Sequence, residues 1–379
     1  MKRHEFITVS GRATTLPMTP RLQQKRRMQA GWAPVMHAAI FFAALGASMP
    51  SSFAIAETAF PGQAWEHADP ARTGWSVTGL SDARSYAQSI GSSAVVVVQD
   101  GRMVASWGDP AKKIQIHSVR KSIMSALYGV AVARRQIDLN STLFDLGIDD
   151  KPPALTAEEK GATVRDLLQA RSGVYHEAAY ETESEAEHRP DRGSHAPGTF
   201  WYYNNWDFNV LGVLLRHATG EDTFAAVERH LAQPLGMEDF TPADGRYLLE
   251  KASQHPAYLM QFTARDLARF GWLYLNRGNW RDRKVIPAGW VAESTRSYSD
   301  VRSGIGYGYL WWVSKTTIQF RTDVGHGAFS ARGHLGQYII VAPERRIVVV
   351  HLNDGSVRRA IESEEFAALL QRIFAAAPR

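Results

Sequence analysis

The amino-acid sequence predicts an α+β fold: an antiparallel sheet assembled from N- and C-terminal segments, flanked by helices, with a mostly helical subdomain inserted between them. Three observations support this prediction. A β-branched run at Val95–Val98 leads into Asp100-Gly101, a dipeptide typical of hairpin turns. Apolar residues at helical spacing dominate the middle of the chain, where several such patterns stop at a glycine. Strand patterns return after about Gly306.

Each segment within this plan has an expected element. The hairpin is followed by a helix from Ser118 to about Arg135, and helices then dominate residues 140–300. The polar run 176–198 interrupts them, and we interpret it as a long surface loop because Pro and Gly lie near its end. Apolar runs predict three strands, at 307–313, 336–342 and 346–354. An amphipathic pattern predicts a terminal helix over 359–376.

The first 56 residues have the layout of an export signal. A basic segment precedes an apolar stretch over 30–49, which Pro34 and His37 make too poor for a spanning helix. Ala54-Ile55-Ala56 then offers a small-x-small cleavage site. We therefore expect a leader at 1–56 and a periplasmic or secreted domain at 57–379, whose α/β part covers about 57–135 and 300–379 and whose helical part covers about 136–299. Met18 and Met28 remain alternative starts.

The distribution of charge and the absence of cysteine exclude several classes of protein. The formal charge is +5 over 379 residues, but the leader alone carries +6, which leaves −1 for 57–379. A nucleic-acid partner is therefore not expected. The chain contains no cysteine, hence no disulfide framework and no lipid-anchor cysteine. No H-E-x-x-H or similar ligand spacing is present, so we expect no metal and no cofactor. The oligomeric state stays open.

Ser118 and Lys121 are the first candidates for catalysis. Their i, i+3 spacing puts both side chains on one face of a helix, one turn apart. An amine can take the proton of a serine hydroxyl only when it is itself neutral part of the time, and burial, the neighbouring Arg120 and the helix dipole all favour the neutral form. The Ser118 N–H can stabilise an oxyanion. The alternative is a serine-capped helix with a solvated first turn.

Tyr203 and Asn205 are the second pair of candidates, since they lie in a polar segment just before an apolar helix. A tyrosine near a lysine can shuttle protons, and an asparagine side chain can hold both a lysine and a substrate carbonyl. The alternative is that the tyrosines are packing residues and Asn205 is an N-cap. A second register, Tyr202-Tyr203-Asn204, also spells Y-x-N, but Asn205 lies seven residues before Gly212, as in the family discussed below.

The third set of candidates lies at the start of a C-terminal strand, where Gly333, His334, Leu335 and Gly336 precede Gln337. Small residues there let the backbone approach a ligand, so the Gln337 N–H can donate to an oxyanion, with His334 and Gly336 beside the substrate. A glycine-rich loop with a satisfied histidine is the alternative interpretation.

Together, in this order, S-x-x-K, Y-x-N and His-x-Gly resemble the motifs of the serine β-lactamase and penicillin-binding-protein superfamily, over about residues 94–354. The sequence is most similar to its β-lactamase-related branch, which includes class C-like lactamases, esterases and nylon-oligomer hydrolases. The resemblance implies a serine hydrolase with Ser118 as acylated nucleophile, Lys121 as its base, Tyr203 as acid/base, Asn205 as polar helper, and Ser118 and Gln337 as oxyanion donors.

One departure from the family pattern bears on the substrate. His334-Leu335-Gly336 stands where typical lactamases carry Lys-Thr-Gly, whose lysine helps bind a carboxylate. A mostly neutral histidine is a weaker anion anchor. We therefore expect a small-molecule ester or simple amide substrate. The alternatives are a β-lactamase or DD-peptidase proper, and a non-catalytic penicillin-binding-like sensor. The segment Gly173–His188, which contains Tyr175 and His176, has two interpretations. We favour a surface loop, and the alternative is that it forms a wall of the acyl pocket.

Overall fold

The computed structural model describes residues 58–356 and 358–378. The leader prediction therefore falls outside the described residues. Ten helices lie within them: α1 Val77–Ser89, α2 Val119–Ala133, α3 Val164–Leu168, α4 Glu183–Glu187, α5 Asn205–Thr219, α6 Thr223–Val227, α7 Gln233–Leu235, α8 Ala264–Leu275, α9 Ala288–Ser294 and α10 Ser363–Ala376. Single turns of 3-10 or π type add Glu159–Gly161, Glu228–Ala232 and Pro242–Asp244.

The described residues also contain fifteen strands: β1 Ala94–Gln99, β2 Arg102–Gly108, β3 Ile114–Gln115, β4 Gly245–Leu248, β5 Ala257–Phe262, β6 Asn279–Trp280, β7 Arg283–Lys284, β8 Ser299–Arg302, β9 Ile305–Tyr307, β10 Trp312–Ser314, β11 Ile318–Gln319, β12 Thr322–Asp323, β13 Phe329–Gly333, β14 Gln337–Ala342 and β15 Ile347–Leu352. Eight of them form one antiparallel sheet in the order β2-β1-β15-β14-β13-β10-β9-β8. The predicted α+β sheet from both ends of the chain is confirmed.

Alternation along the central strands explains why helices cover both faces of this sheet. Val95 and Val97 pack with the apolar sides of α1 and α10, whereas Val96 and Val98 pack with α2 and α8. Successive side chains of a strand point to opposite faces, so a continuous valine run requires a partner on each side. The hairpin turn is the predicted Asp100-Gly101, with φ of +49° and +79°.

The helical part differs from its prediction because it contains a small sheet. Strands β3, β5 and β4 pair antiparallel, and Ile114 of β3 lies opposite Phe262 of β5. The run Ala257–Phe262 is short and almost wholly buried, and such a run has no period that separates strand from buried helix. This small sheet holds the segment just before α2, since the Ile116 N–H donates to the Met260 carbonyl at 3.1 Å.

Two further predictions are corrected. The expected strand over 307–313 is broken between β9 and β10, where Leu310 has a φ of +64°. The polar run 176–198 contains a helix, α4, whose first turn is closed by a capping box between Thr182 and Glu185. In the part of the chain that the structure describes, no helix is long and apolar enough to cross a membrane.

Candidate active site

The start of α2 presents Ser118 with its hydroxyl uncommitted to the helix. Ile116 is fully buried, and His117, which follows it, has a φ of +46°, a left-handed conformation that few non-glycine residues adopt. Ser118 then occupies the N-cap position with φ −74° and ψ −7°, and its side chain makes no capping hydrogen bond. The hydroxyl is therefore free for chemistry, which argues against the capped-helix interpretation.

Lys121 is buried and its amine contacts three candidate residues at once. The Nζ atom lies 3.1 Å from Ser118 Oγ, 2.8 Å from Tyr203 Oη and 2.7 Å from Asn205 Oδ1. The side chain is 1% exposed, and the amine also lies 4.0 Å and 4.3 Å from the ring centroids of Tyr203 and Phe208. A neutral amine has two N–H donors and one lone pair, so it can donate to Asn205 and Tyr203 while it accepts the Ser118 proton.

The environment favours the neutral form of Lys121. Burial is the largest influence and lowers its pKa well below the usual value, and the positive charge of Arg120 lowers it further. The carboxylates Glu185 and Glu181 act in the opposite direction without reversing the shift. Arg120 is itself fully buried, between the rings of Tyr180 and Tyr258 at 5.3 Å and 5.2 Å. The cation predicted to keep the base neutral thus lies in the core beside it.

Tyr203 and Asn205 reach Lys121 from the start of α5. Asn204, rather than Asn205, caps this helix, since its Oδ1 accepts the Trp206 N–H at 3.1 Å. Tyr202 points elsewhere and donates to the Glu185 carbonyl at 2.6 Å. The structure therefore brings Tyr203 and Asn205, and not the alternative register, to the lysine.

The side chain of Asn205 is held in one orientation by its other partners. Its Nδ2 donates to the Tyr180 carbonyl at 2.9 Å and to Glu185 Oε2 at 3.0 Å, which leaves Oδ1 to face Lys121. Burial raises the pKa of Tyr203, and Glu185 adds to the shift. Tyr203 is therefore a neutral phenol at ordinary pH, able to give or relay a proton and not to act as a phenolate.

The third set of candidates is only partly brought to the pocket. His334 and Gly333 line it, whereas Gly336 and Gln337 do not. Gln337 is fully buried in β14, where it lies opposite Gly333, and its amide bonds with the Asn353 backbone at 2.7 Å. Gln337 itself does not line the pocket, although Tyr338 of the same strand does, so the geometry does not support the expectation that Gln337 donates to the oxyanion.

Gly333 at the end of β13 takes the place that the sequence assigned to Gln337. A Cβ on Gly333 would lie 2.5 Å from the Ile116 carbonyl and 3.2 Å from the Ser118 nitrogen. No side chain fits in that gap, so the backbone of β13 passes directly beside the Ser118 N–H. The oxyanion position therefore lies between the start of α2 and the end of β13.

The candidate residues open onto a pocket of about 510 Å³. Sequence reasoning missed several of its lining residues, namely His117, Tyr180, Glu181, Glu185, Trp312, Phe320 and Arg332. Tyr180, Glu181 and Glu185 belong to the segment Gly173–His188, which we interpreted as a surface loop. The alternative, that this segment forms a wall of the pocket, is the better description. The expected Tyr175 and His176 do not line this pocket. The Thr182-x-x-Glu185 pattern was the available signal, since it marks a helix start in an otherwise polar run.

His117 closes the pocket on this side. Its Nδ1 lies 2.7 Å from the Tyr180 hydroxyl, and the two rings stack 6.0 Å apart. Burial lowers the pKa of His117 to about 4, with further contributions from His334 and Arg120, so the ring is neutral near pH 7. Among the described residues, no group of three or more His, Asp or Glu side chains could hold a metal ion.

Comparison with known proteins assigns the family. A family model described as Beta-lactamase matches residues 77–371, most of the chain. The chain belongs to the beta-lactamase family. It is accordingly a serine-hydrolase-type enzyme, and the matched residues include Ser118, Lys121 and Tyr203, which the structure brings into contact. No curated protein sequence matches significantly.

Several solved structures share the fold of this chain at low sequence identity. A protein assigned as a 6-aminohexanoate-dimer hydrolase from Bacillus anthracis is 19% identical, with a TM-score of 0.60 over 82% of this chain and 86% of that one. A hydrolase with promiscuous acyltransferase activity is 14% identical, with a TM-score of 0.57 over 78% and 98%. A class C beta-lactamase mutant is 14% identical, with a TM-score of 0.57 over 79% and 96%.

Replacing Gly333 of this beta-lactamase-family chain with alanine is expected to lower kcat/KM at least about 10-fold, because the added Cβ forces the Ser118 and β13 backbones apart. The measurement is ester turnover together with the melting temperature. Gly289→Ala is the matched control, since a Cβ on Gly289 meets nothing within 4 Å. Full activity in Gly333→Ala would show that this close approach is not needed.

Proposed function

We propose that the protein hydrolyses an ester or a linear amide through an acyl-enzyme on Ser118. The observation that carries the proposal is the buried Lys121 amine, in hydrogen-bond contact with Ser118, Tyr203 and Asn205 together. A lysine general base requires a neutral amine whose lone pair faces the serine hydroxyl: burial favours the neutral form, and N–H donation to Asn205 and Tyr203 leaves the lone pair for Ser118.

The first half of the reaction follows from these contacts. Lys121 accepts the Ser118 proton while Oγ attacks the substrate carbonyl, and negative charge gathers on the carbonyl oxygen beside the Ser118 N–H and β13. Collapse of this intermediate breaks the bond to the leaving group, which takes a proton from Tyr203, and Tyr203 is reprotonated by Lys121 at 2.8 Å. The acyl group is then bonded to Ser118 and the alcohol or amine departs.

The second half runs through the same groups with water as nucleophile. Lys121 and Tyr203 take a proton from the water as it attacks the acyl carbonyl, and the Ser118 oxygen leaves with that proton. The free acid and the original site are restored.

The type of bond is tested by a panel of substrates offered to the purified protein. Short p-nitrophenyl esters, a linear amide dimer, nitrocefin and a D-Ala-D-Ala peptide separate an esterase or amidase from a β-lactamase or DD-peptidase. We expect turnover of the esters and the linear amide, since the pocket lacks the third-motif lysine. A higher kcat/KM for nitrocefin or the peptide than for the esters and the linear amide would indicate a β-lactamase or a DD-peptidase instead.

The rival function is a penicillin-binding-like sensor that is acylated without turnover. Pre-steady-state kinetics distinguish the two, because an enzyme shows a burst of p-nitrophenol followed by steady release. A burst of one equivalent with no steady phase would support the sensor and contradict the hydrolase.

We also propose that the chain is exported and cleaved after Ala56. The basic segment, the apolar stretch and the Ala54-Ile55-Ala56 site support this proposal. Mass spectrometry of the protein recovered from the periplasm or medium is expected to give Glu57 as the first residue. An intact leader on soluble protein in the cytoplasm would contradict it.

A further inference from the structure

A second cavity, of about 460 Å³, lies directly beside the active-site pocket. Phe320 and Ser363 line both spaces, so these two side chains stand between them. The other walls of the second cavity come from the turn between β8 and β9, from the hairpin β11–β12 and from the first turns of α10. Both spaces are partly open to solvent, so an extended molecule can lie across the two without entering the protein interior.

The hairpin that carries Phe320 is an addition to the main sheet. Within the described residues, β11 and β12 pair only with each other and take no part in the eight-stranded sheet. An isolated two-stranded hairpin is marginally stable, so contacts with its surroundings must hold it. One such contact comes from α10, where the Gln371 side chain donates to the Arg321 carbonyl at 3.1 Å. The hairpin thus adds nothing to the pairing of the main sheet, whereas it forms a wall of the second cavity and carries the ring that lines both.

The Phe320 ring is held in place by two other aromatic rings. Its centroid lies 5.2 Å from that of Tyr338 and 5.0 Å from that of Phe366, in edge-on contacts. Phe320 and Arg321 form the turn between β11 and β12, with φ of +47° and +58°. Such turns normally hold Asn or Gly, because larger side chains are strained at positive φ. The ring is therefore kept by its packing, and a ligand can pack against a fixed edge at little cost in side-chain entropy.

The second cavity has an apolar interior. Ile305 and Ala367 are buried there, and Ile318 of β11 lies beside them with 44% of its surface exposed. Covering this isoleucine with an apolar group is favourable, because it removes apolar surface from water. The charged residues around the cavity are exposed and of both signs, namely Arg302, Arg321 and Glu364. Their charged ends remain in water, so the interior suits an aliphatic chain.

We propose that the second cavity binds the distal part of an aliphatic chain on the substrate, which makes the preferred substrates esters or amides with an extended chain. This inference rests on the proposed function and names its class of substrate. The reacting carbonyl lies at Ser118, the chain crosses the edge of Phe320, and its end packs on Ile318, Ile305 and Ala367. Complete burial of one methylene improves affinity about 4-fold, so two or three buried methylenes improve it about 10-fold or more.

The test uses two series of esters that differ in chain length, at concentrations where they stay monomeric. p-Nitrophenyl propionate, butyrate, hexanoate and octanoate lengthen the acyl side, and ethyl, butyl, hexyl and octyl acetate lengthen the alcohol side. We expect kcat/KM of wild type to rise about 10-fold or more from the shortest to the longest member of at least one series. In Ile318→Asp this ratio is expected to fall to about a third or less, because a carboxylate opposes burial beneath an apolar chain. Phe320→Ala is expected to lower the ratio too, since the chain loses the edge that it crosses.

Val77→Asp is the matched control. It places the same charge on a β-branched residue of α1 that is 57% exposed and lines neither cavity, and we expect it to keep the wild-type ratio. Equal kcat/KM across both wild-type series, or an undiminished ratio in Ile318→Asp, would overturn this inference and leave the proposed hydrolase intact.

Binding to Ser118→Ala gives a readout that does not depend on turnover. p-Nitrophenyl octanoate is expected to bind about 10-fold or more tightly than the propionate, and addition of Ile318→Asp is expected to remove most of this difference. That result supports the second cavity as a chain-binding site even if wild type hydrolyses no ester, whereas equal affinities for the two esters contradict it.

Discussion

Ser118→Ala is expected to lower kcat for p-nitrophenyl ester hydrolysis by at least about 1,000-fold and to abolish labelling by a fluorophosphonate probe. The hydroxyl lies in the pocket with Lys121 Nζ 3.1 Å away as proton acceptor, which is the arrangement that forms the acyl bond in the proposed reaction. Because it makes no capping bond, its loss is expected to change the free energy of unfolding by less than about 0.5 kcal/mol. Steady-state rates, intact-protein mass spectrometry and thermal denaturation provide the three readouts.

Ser122→Ala is the matched control for this variant. Ser122 lies on the following turn of α2 and donates to the Leu310 carbonyl at 2.8 Å, away from Lys121. We expect it to be labelled and to turn over ester, at some cost in stability because a buried carbonyl loses its donor. Labelling of Ser118→Ala at another serine, with turnover intact, would disprove the assignment of the nucleophile.

Lys121→Met is expected to reduce the acylation rate by about 1,000-fold or more, because it removes the buried amine that lies 3.1 Å from Ser118 Oγ as proton acceptor. Lys121→Arg is expected not to restore the rate, since a guanidinium stays protonated and cannot accept the serine proton. Stopped-flow measurement of the p-nitrophenol burst isolates this step. Acylation in Lys121→Arg at a wild-type rate would show that the cation, and not the base, is what the site uses.

The pH profile gives a second view of the same group. The acylation rate is expected to rise with pH as Lys121 loses its proton. Because burial and Arg120 lower the pKa of Lys121, this rise is expected at a lower pH than for an ordinary lysine. Removing the cation in Arg120→Met leaves burial opposed by Glu185 and Glu181, so the lysine pKa rises and the acidic limb is expected to move to higher pH.

Arg120→Lys keeps a positive charge at the same position and is expected to leave the limb close to that of wild type. The readout is the logarithm of kcat/KM against pH for one neutral ester, which separates a shifted pKa from a general loss of activity. An acidic limb that does not move in Arg120→Met, while the protein stays folded, would exclude Arg120 from control of the base.

The sheet was predictable because its strands are encoded locally. Val95–Val98 alternates between two buried faces, and Asp100-Gly101 fixes the hairpin register, so neither feature depends on distant parts of the chain. Strand β5 was missed because a short buried apolar run lacks a period of its own. The pairing of β5 with β3 depends on tertiary contact alone.

The site residues likewise differ in whether local sequence or tertiary contacts determine their positions. Ser118 and Lys121 were predictable because their spacing of three residues on a helix fixes the distance between them. Tyr203 was predictable because it lies in a polar segment just before an apolar helix. Gln337 does begin a strand, as predicted, but the backbone that passes beside the Ser118 nitrogen is that of Gly333 on the adjacent strand, and the sequence does not show which of the two strands makes this approach.

Strand β1 lies between β2, which follows it at once, and β15, which follows it almost at the end of the chain. A nascent polypeptide therefore carries Ser118 and Lys121 long before it carries the strands that complete the sheet and, with β13, the wall beside the nucleophile. Folding that depends on such distant pairing is slow. The wall beside Ser118 is therefore complete only after β13, β14 and β15 have been made and have joined the sheet.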